Sequence, residues 1–231
     1  MRLLALDTST EACSVALAVD GRVHSRFELT ERSHAELVLP MVDAVLAEAG
    51  AALASLDAIA FGRGPGGFTG VRIAAGVAQG LAYGGGLRVL PVSSLAAVAE
   101  QVLRPVGDRA VACNDARMGE VYWAVFERAA DGGLVAVTTE RVSVPSVVDA
   151  STVGAGHAAG NGLAAHPALR ERLVAGGIAV ADGVYPRAEA VLAIAARDWA
   201  AGRSVAPVDA VPVYVRDDVA RPPGGTVIGM S

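Results

Sequence analysis

One stretch constrains the fold more than any other. Asp57–Gly62 reads as a buried strand, and it runs through Arg63-Gly64-Pro65-Gly66-Gly67-Phe68-Thr69-Gly70 into an alanine- and glycine-rich helix reaching about Gly84. Strand, glycine loop and helix in succession point to an α/β layer. At about 100° per residue, Val71, Ala74, Ala75, Ala78 and Ala82 share one face, and Gly76, Gly80 and Gly84 lie opposite with Ile73 and Val77. Arg72, Gln79 and Tyr83 form the polar stripe between them. Each interior glycine costs a helix up to about 1 kcal/mol relative to alanine, so three in register call for a compensating close contact. A helix apolar on both sides is normally sandwiched. One side can be its own sheet; the other is a further helix of the same chain or a partner subunit.

The elements before this stretch look like three strands within residues 2–29, with Asp20-Gly21 as a two-residue hairpin signal. A helix over 34–49 follows, with Val38, Met41, Val42, Val45, Leu46 and Ala49 on one face, Ser33 and Glu36 at capping-box positions, and Gly50 as its stop. Pro40 inside it predicts a kink or a restart. This helix already has an apolar face of its own, which favours a partner against the helix at 71–84. The expected partner face is Val38, Met41, Val42 and Val45 with Val71, Ala74, Ala75, Ala78 and Ala82.

Arg88–Val92 reads as the next strand, and Ser93 or Ser94 caps a helix to about Leu103. Arg104–Asp108 is a boundary. The organisation expected is a first domain over 1–106, completed by a helix at 188–202, and a smaller second domain over 107–187. That second unit opens with strands at 110–113 and 121–127, followed by short strands through Val144. A small helix, a strand near Ser151–Ala155 and a loop at 156–162 follow, and a tail over 218–231 is expected to be flexible. Three strands and then alternating helices and strands predict a mixed-sheet α/β fold, and the new strand set after 109 is consistent with a repeated domain.

Composition excludes several chemistries. The chain has 19 Lys+Arg, all of them arginine. Without lysine there is no Walker-A site, no Schiff base and no protein-kinase ATP site. The net charge of −5 argues against tight nucleic-acid binding by the chain alone. The longest uncharged apolar run, Ile73–Leu87, contains Gln79 and five glycines and is shorter than the roughly 20 residues a membrane span needs. Met1-Arg2, four apolar residues and then Asp7 are too short for a signal peptide, so a cytoplasmic location is expected. Cys13 and Cys113 lie in apolar runs and read as buried free thiols.

Two segments could meet an anion. The loop at 62–70 could cradle phosphate through its N–H groups, or be a tight turn needing positive φ. Asp7-Thr8-Ser9-Thr10 could contact phosphate or metal, or be ordinary hairpin chemistry. The candidate phosphate, nucleotide or RNA contacts are Asp7, Thr8, Ser9, Arg63, Gly66, Gly67 and Arg72. Asp115, Arg117 and Glu120 read as a solvated turn with a salt bridge. No histidine pair has metal spacing, since Val38 stands four residues after His34, and HExxH, CxxC and GxSxG are all absent. No catalytic residue, metal or cofactor is expected.

Six segments carry a resemblance to a known family: Leu4–Leu17, Arg32–Met41, Gly62–Ala82, Val92–Leu95, Asp115–Ala124 and Pro212–Arg216. Across about residues 1–217 the chain resembles the TsaB (YeaZ) family, the non-catalytic paralogues in bacterial tRNA threonylcarbamoyladenosine synthesis; GPGGFTGVR and DARMGEVYW are the most specific motifs. The resemblance implies an actin-like (ASKHA, ribonuclease H-like) two-domain fold with a truncated second domain. It implies pairing through N-terminal-domain helices, either with a second copy or with the paralogue TsaD, which transfers threonylcarbamoyl to adenosine beside the anticodon. The ATPase TsaE completes the assembly, and tRNA is engaged through the complex. TsaD's metal-binding HxxxH is broken here at Val38. An autonomous actin-like ATPase is the alternative expectation, and a glycoprotease-like peptidase a remote one.

Overall fold

The computed structural model describes residues 1–30, 34–154 and 156–216. β1 (Leu3–Asp7), β2 (Ala12–Val19) and β3 (Arg22–Leu29) form an antiparallel meander. Asp20 and Gly21 both take positive φ, 51° and 78°, which gives the β2–β3 turn the hand that matches strand twist. α1 (His34–Ala49) then leads to β4 (Ala58–Gly62), α2 (Phe68–Gly85), β5 (Arg88–Val92) and α3 (Ser94–Val102). β4 and β5 add parallel to β1, so the first sheet has the order β3-β2-β1-β4-β5.

The second sheet repeats this order with different residues. β6 (Arg109–Arg117), β7 (Glu120–Arg128) and β8 (Leu134–Ala136) form a second antiparallel meander, and β9 (Arg141–Ser143) also pairs with β7. α4 (Ala150–Val153), β10 (Gly156–Ala159), α5 (Gly162–Ala165), α6 (Pro167–Ala175) and β11 (Ala179–Ala181) follow, and α7 (Ala188–Ala200) is the last α-helix among the described residues. β10 and β11 lie parallel to β6, so β8-β7-β6-β10-β11 has the order of the first sheet. This is the duplicated mixed-sheet topology of the actin-like α/β fold.

The helices stack the two sheets into layers. α1 and α2 cover one face of the first sheet, where Leu4, Leu6, Val15, Leu17, Ile59 and Phe61 meet Val38, Val42, Val45, Ala74, Ala75, Ala78 and Ala82. Each large aliphatic side chain sealed there contributes about 1.5–3 kcal/mol. α7 crosses back onto the opposite face of the same sheet with Val191, Leu192 and Ala195. α3 turns its Leu95, Val98 and Ala99 toward the second sheet, and Ile194 of α7 joins both cores. α4, α5 and α6 close the far side of the second sheet. Glu100 of α3 pairs with Arg128 of β7 at 3.0 Å and with Arg197 of α7 at 2.8 Å, which ties this middle layer together.

Several expectations are corrected. Val38, Val42, Val45, Val71, Ala74, Ala75, Ala78 and Ala82 are buried in the chain's own core and present no partner face, and Met41 is partly buried. The flat alanine side packs on the sheet because small side chains allow the closest approach, which leaves the glycines outside. Pro40 does not interrupt α1: it and Glu36 face solvent, so the carbonyl that loses its intrahelical partner can meet water. Residues 151–153 are helical, because Asp149 accepts a bond from Thr152 N at 3.0 Å as an N-cap, and the strand runs over 156–159 where a loop was expected. Ser93 caps α3, accepting from Ala96 N at 3.0 Å. The Ser33 cap and the tail at 218–231 lie outside the described residues.

Candidate functional site

β1 and β6 point their C-terminal ends at a common cleft of about 470 Å³. On one wall are Thr8–Glu11, His34 and the start of α2 at Gly66–Gly70; on the other are Asp115–Arg117, Tyr122, Asn161 and Arg216. The walls are bridged where Asn161 Nδ2 donates to Glu11 Oε2 at 2.8 Å and Asn161 Oδ1 accepts from Asp115 N at 3.0 Å.

The first hairpin is tied inward. Asp7 is fully buried; Oδ1 accepts from Ser9 N at 2.8 Å and Ser9 Oγ at 2.7 Å, and Oδ2 accepts from Ser94 Oγ at 2.8 Å. Burial raises its carboxyl above the usual range, and the three donors pull the other way. Thr8 Oγ1 donates to Gly70 O at 2.7 Å, and Gly67 N donates to Ser9 O at 2.7 Å. Thr8, Ser9, Gly66 and Gly67 therefore come together at the cleft, while Asp7 is sealed beneath it.

The loop glycines are explained by this close approach. A Cβ at Gly66 would stand 2.3 Å from Ser9 O, one at Gly70 1.9 Å from Thr8 O, and one at Gly62 1.7 Å from Asp7 Oδ2. Gly64, at φ +93°, is the loop position that takes a left-handed conformation. His34 donates from Nε2 to Thr10 O at 2.8 Å, because a carbonyl can only accept, so Nδ1 is unprotonated in the neutral ring.

The expected arginines do not line the cleft. Arg63 lies 3.2 Å from Glu140 on another groove. Arg72 donates to Phe68 O at 2.9 Å and stacks on the Phe68 ring. The cations that reach the cleft are Arg117 and Arg216. Arg117 pairs with Asp115 at 3.2 Å, as the turn reading expected, and Arg216 pairs with Glu120. Arg216 approaches from nearly 100 residues away, so no local pattern announces it. Both thiols are buried, which pushes Cys13 and Cys113 up to about 12. Among the described residues, no cluster of three His, Cys, Asp or Glu could hold a metal ion, and no helix is long and apolar enough to cross a membrane.

Comparison with known proteins places this geometry in a family. Residues 18–180 match the family profile described as TsaD: tRNA N6-adenosine threonylcarbamoyltransferase. The chain is 45% identical to the tRNA threonylcarbamoyladenosine biosynthesis protein TsaB of Escherichia coli, over 95% of this chain and 96% of that protein. The protein of the same name in Haemophilus influenzae is 38% identical, covering 95% of each. Among solved structures, YeaZ from Pseudomonas aeruginosa superposes with a TM-score of 0.80 at 44% identity, covering 92% of this chain and 99% of that one. A second Pseudomonas aeruginosa structure, described as similar to peptidase YeaZ, gives 0.83 at 46%, covering 93% and 99%. With sequence and fold agreeing along nearly the full chain, it belongs to the TsaB (YeaZ) family of tRNA threonylcarbamoyladenosine biosynthesis proteins.

Proposed function

We propose that this chain is a non-catalytic scaffold that binds and activates the paralogue TsaD, with the ATPase TsaE joining the assembly and tRNA held by the complex. The observation that carries the reading is the outward face of α2. Gly76, Gly80 and Gly84 are exposed, and a Cβ built on any of them meets nothing within 4 Å. Three glycines thus weaken a helix without a contact inside the chain to offset the loss. A partner helix able to approach the bare backbone supplies that contact. Tyr83, at 84% exposure, stands beside this strip, and Leu39 on the neighbouring α1 is also exposed.

The autonomous ATPase reading would require Asp7 to reach phosphate or a metal, and both its oxygens are taken by Ser9 and Ser94. The test is gel filtration with TsaD. Gly80→Arg, which the chain has room for, should abolish the heterodimer while circular dichroism stays native and the melting temperature does not fall. An undiminished heterodimer would refute the α2 interface. The same variant reports whether the free chain self-pairs through this face, since a homodimer would then elute as a monomer.

A further inference from the structure

An exposed cluster of aromatic and arginine side chains lies beside the cleft, on the N-terminal end of α2, where Phe68 and Arg72 continue the row of Gly76, Gly80 and Gly84 by two turns. Phe68 and Tyr214 are 55% and 45% exposed, with ring centroids 6.3 Å apart. The Arg72 guanidinium lies 3.3 Å from the Phe68 ring centre and 4.6 Å from that of Tyr214. Phe68, Tyr122 and Tyr214 border a small groove of about 30 Å³ that also reaches Arg216. Arg216 Nη1 lies 3.4 Å from Met118 Sδ, which connects the groove to the β6–β7 hairpin tip. That tip holds Arg117 and Met118 at φ 61° and 55°, and their exposures reach 80% for the Arg117 side chain and 87% for Met118.

Among the described residues of this patch, arginines outnumber carboxylates. Arg72, Arg117 and Arg216 face two carboxylates, Asp115 and Glu120, which pair with Arg117 and Arg216. Arg72 has no carboxylate partner among the described residues, and α2 begins there without a side-chain cap, with Gly67 N–H held by Ser9 O and Phe68 and Thr69 exposed. Among the described residues the patch therefore carries one more cation than carboxylate, on a chain of net charge −5. Exposed rings interleaved with stacked guanidinium groups suit the faces of unstacked bases, and the unpaired positive charge suits the phosphates between them. A purely apolar protein partner would leave Arg72 and the helix end without counter-charge.

We propose that Phe68, Arg72, Tyr122 and Tyr214, with the Arg117–Met118 tip, form a docking surface for a single-stranded stretch of RNA, supplied in the assembly by the tRNA loop being modified. This deepens the scaffold reading and rests on it. The test uses the complex of the full chain with TsaD and an unmodified, fluorescently labelled tRNA transcript. Two double variants are compared with wild type, Phe68→Ala/Tyr214→Ala and Arg72→Glu/Arg117→Glu. Gel filtration follows assembly, circular dichroism follows folding, and anisotropy follows tRNA binding at several salt concentrations.

The expected result is intact assembly with tRNA affinity about tenfold lower or worse for each double variant, and a flatter salt dependence for the arginine pair alone. Unchanged affinity in intact complexes overturns the proposal. Folded variants that no longer bind TsaD also overturn it, because the patch is then a protein interface. A wild-type chain that does not assemble with TsaD refutes the scaffold reading instead. The isolated chain then decides the RNA surface: weak tRNA binding lost in both variants supports it, and no binding overturns it.

Discussion

Two alanines placed on the outer face of α2 should separate the stability of the isolated chain from its capacity to assemble. Gly76 and Gly80 sit mid-helix, and an added Cβ meets no atom of the chain within 4 Å. Each Gly→Ala change there should stabilise by about 0.8–1.0 kcal/mol, through helix propensity and a less disordered unfolded chain. Together they should add about 1.6–2 kcal/mol, which raises the melting temperature of a chain this size by roughly 3–8 °C. Urea and thermal unfolding of Gly76→Ala/Gly80→Ala, repeated over a protein dilution series to separate any self-association, measures the gain. Gel filtration with TsaD measures the opposite effect, since two methyl groups would hold a close-packed partner helix away. Gly70 in the same helix is the internal control. Its Cβ would stand 1.9 Å from Thr8 O, so Gly70→Ala should lose about 3 kcal/mol or more. A double variant no more stable than wild type would refute the claim that these glycines lack a role inside the fold. A double variant that is more stable and assembles equally well would refute their role at an interface.

Three further outcomes follow from the buried polar groups. Glu100→Gln should destabilise by about 2–4 kcal/mol in urea unfolding, because it leaves the buried Arg128 without its carboxylate and loosens Arg197 on α7. Asn161→Ala, which removes the bonds to Glu11 and Asp115 N, should cost about 1–3 kcal/mol and speed hydrogen exchange at the β6 end of the cleft. Asp7 has a raised folded-state pKa, so the folded chain binds more protons than the unfolded chain between the ordinary carboxylate range and that raised value. Its contribution is most favourable in acid and falls as pH rises through the raised value. Asp7→Asn should therefore lose ground to wild type as pH drops from 7 toward 4, and a pH-independent difference in urea midpoint would contradict the raised carboxyl.

The sequence declared its periodic elements and hid the direction in which one of them faces. Asp20-Gly21 specified the β2–β3 hairpin through two positive φ angles, and the spacing of Val38, Val42 and Val45 specified the buried side of α1. α2 was ambiguous because both of its sides lack polar residues. Periodicity identifies two faces, and only the sheet decides that alanine, with its smooth and shallow surface, lies inside. The strand at 156–159 is hidden in the sequence because Gly-His-Ala-Ala is short and carries no β-branched or aromatic residue, and its place between β6 and β11 comes from parallel pairing with distant strands. At the cleft, the hairpin and glycine loop were legible as neighbours of a site. The cations that reach it were not, because Arg216 arrives from the far end of the described chain and Arg63 is drawn off by Glu140, 77 residues away.

The glycine loop also shows how glycines beside a cleft can serve contacts within the chain. A loop that cradles phosphate keeps its glycines bare so that a ligand can approach the backbone. Here the space that side chains would take at Gly66 and Gly70 is occupied by the Ser9 and Thr8 carbonyls of the same chain. Asp7, at the end of β1, binds the Ser9 turn with one oxygen and Ser94 at the start of α3 with the other. Thr8 and Ser9 hold the start of α2 through Gly70 and Gly67. One buried hairpin thus fixes the N-terminal ends of both helices against β1. It sets the position and tilt of α2, and hence the plane in which Gly76, Gly80 and Gly84 are presented. Asp7, Thr8 and Ser9 thereby serve the geometry of a surface some turns further along the helix. A change at Asp7 should accordingly be felt in TsaD binding as well as in stability, although no part of Asp7 is accessible to a partner.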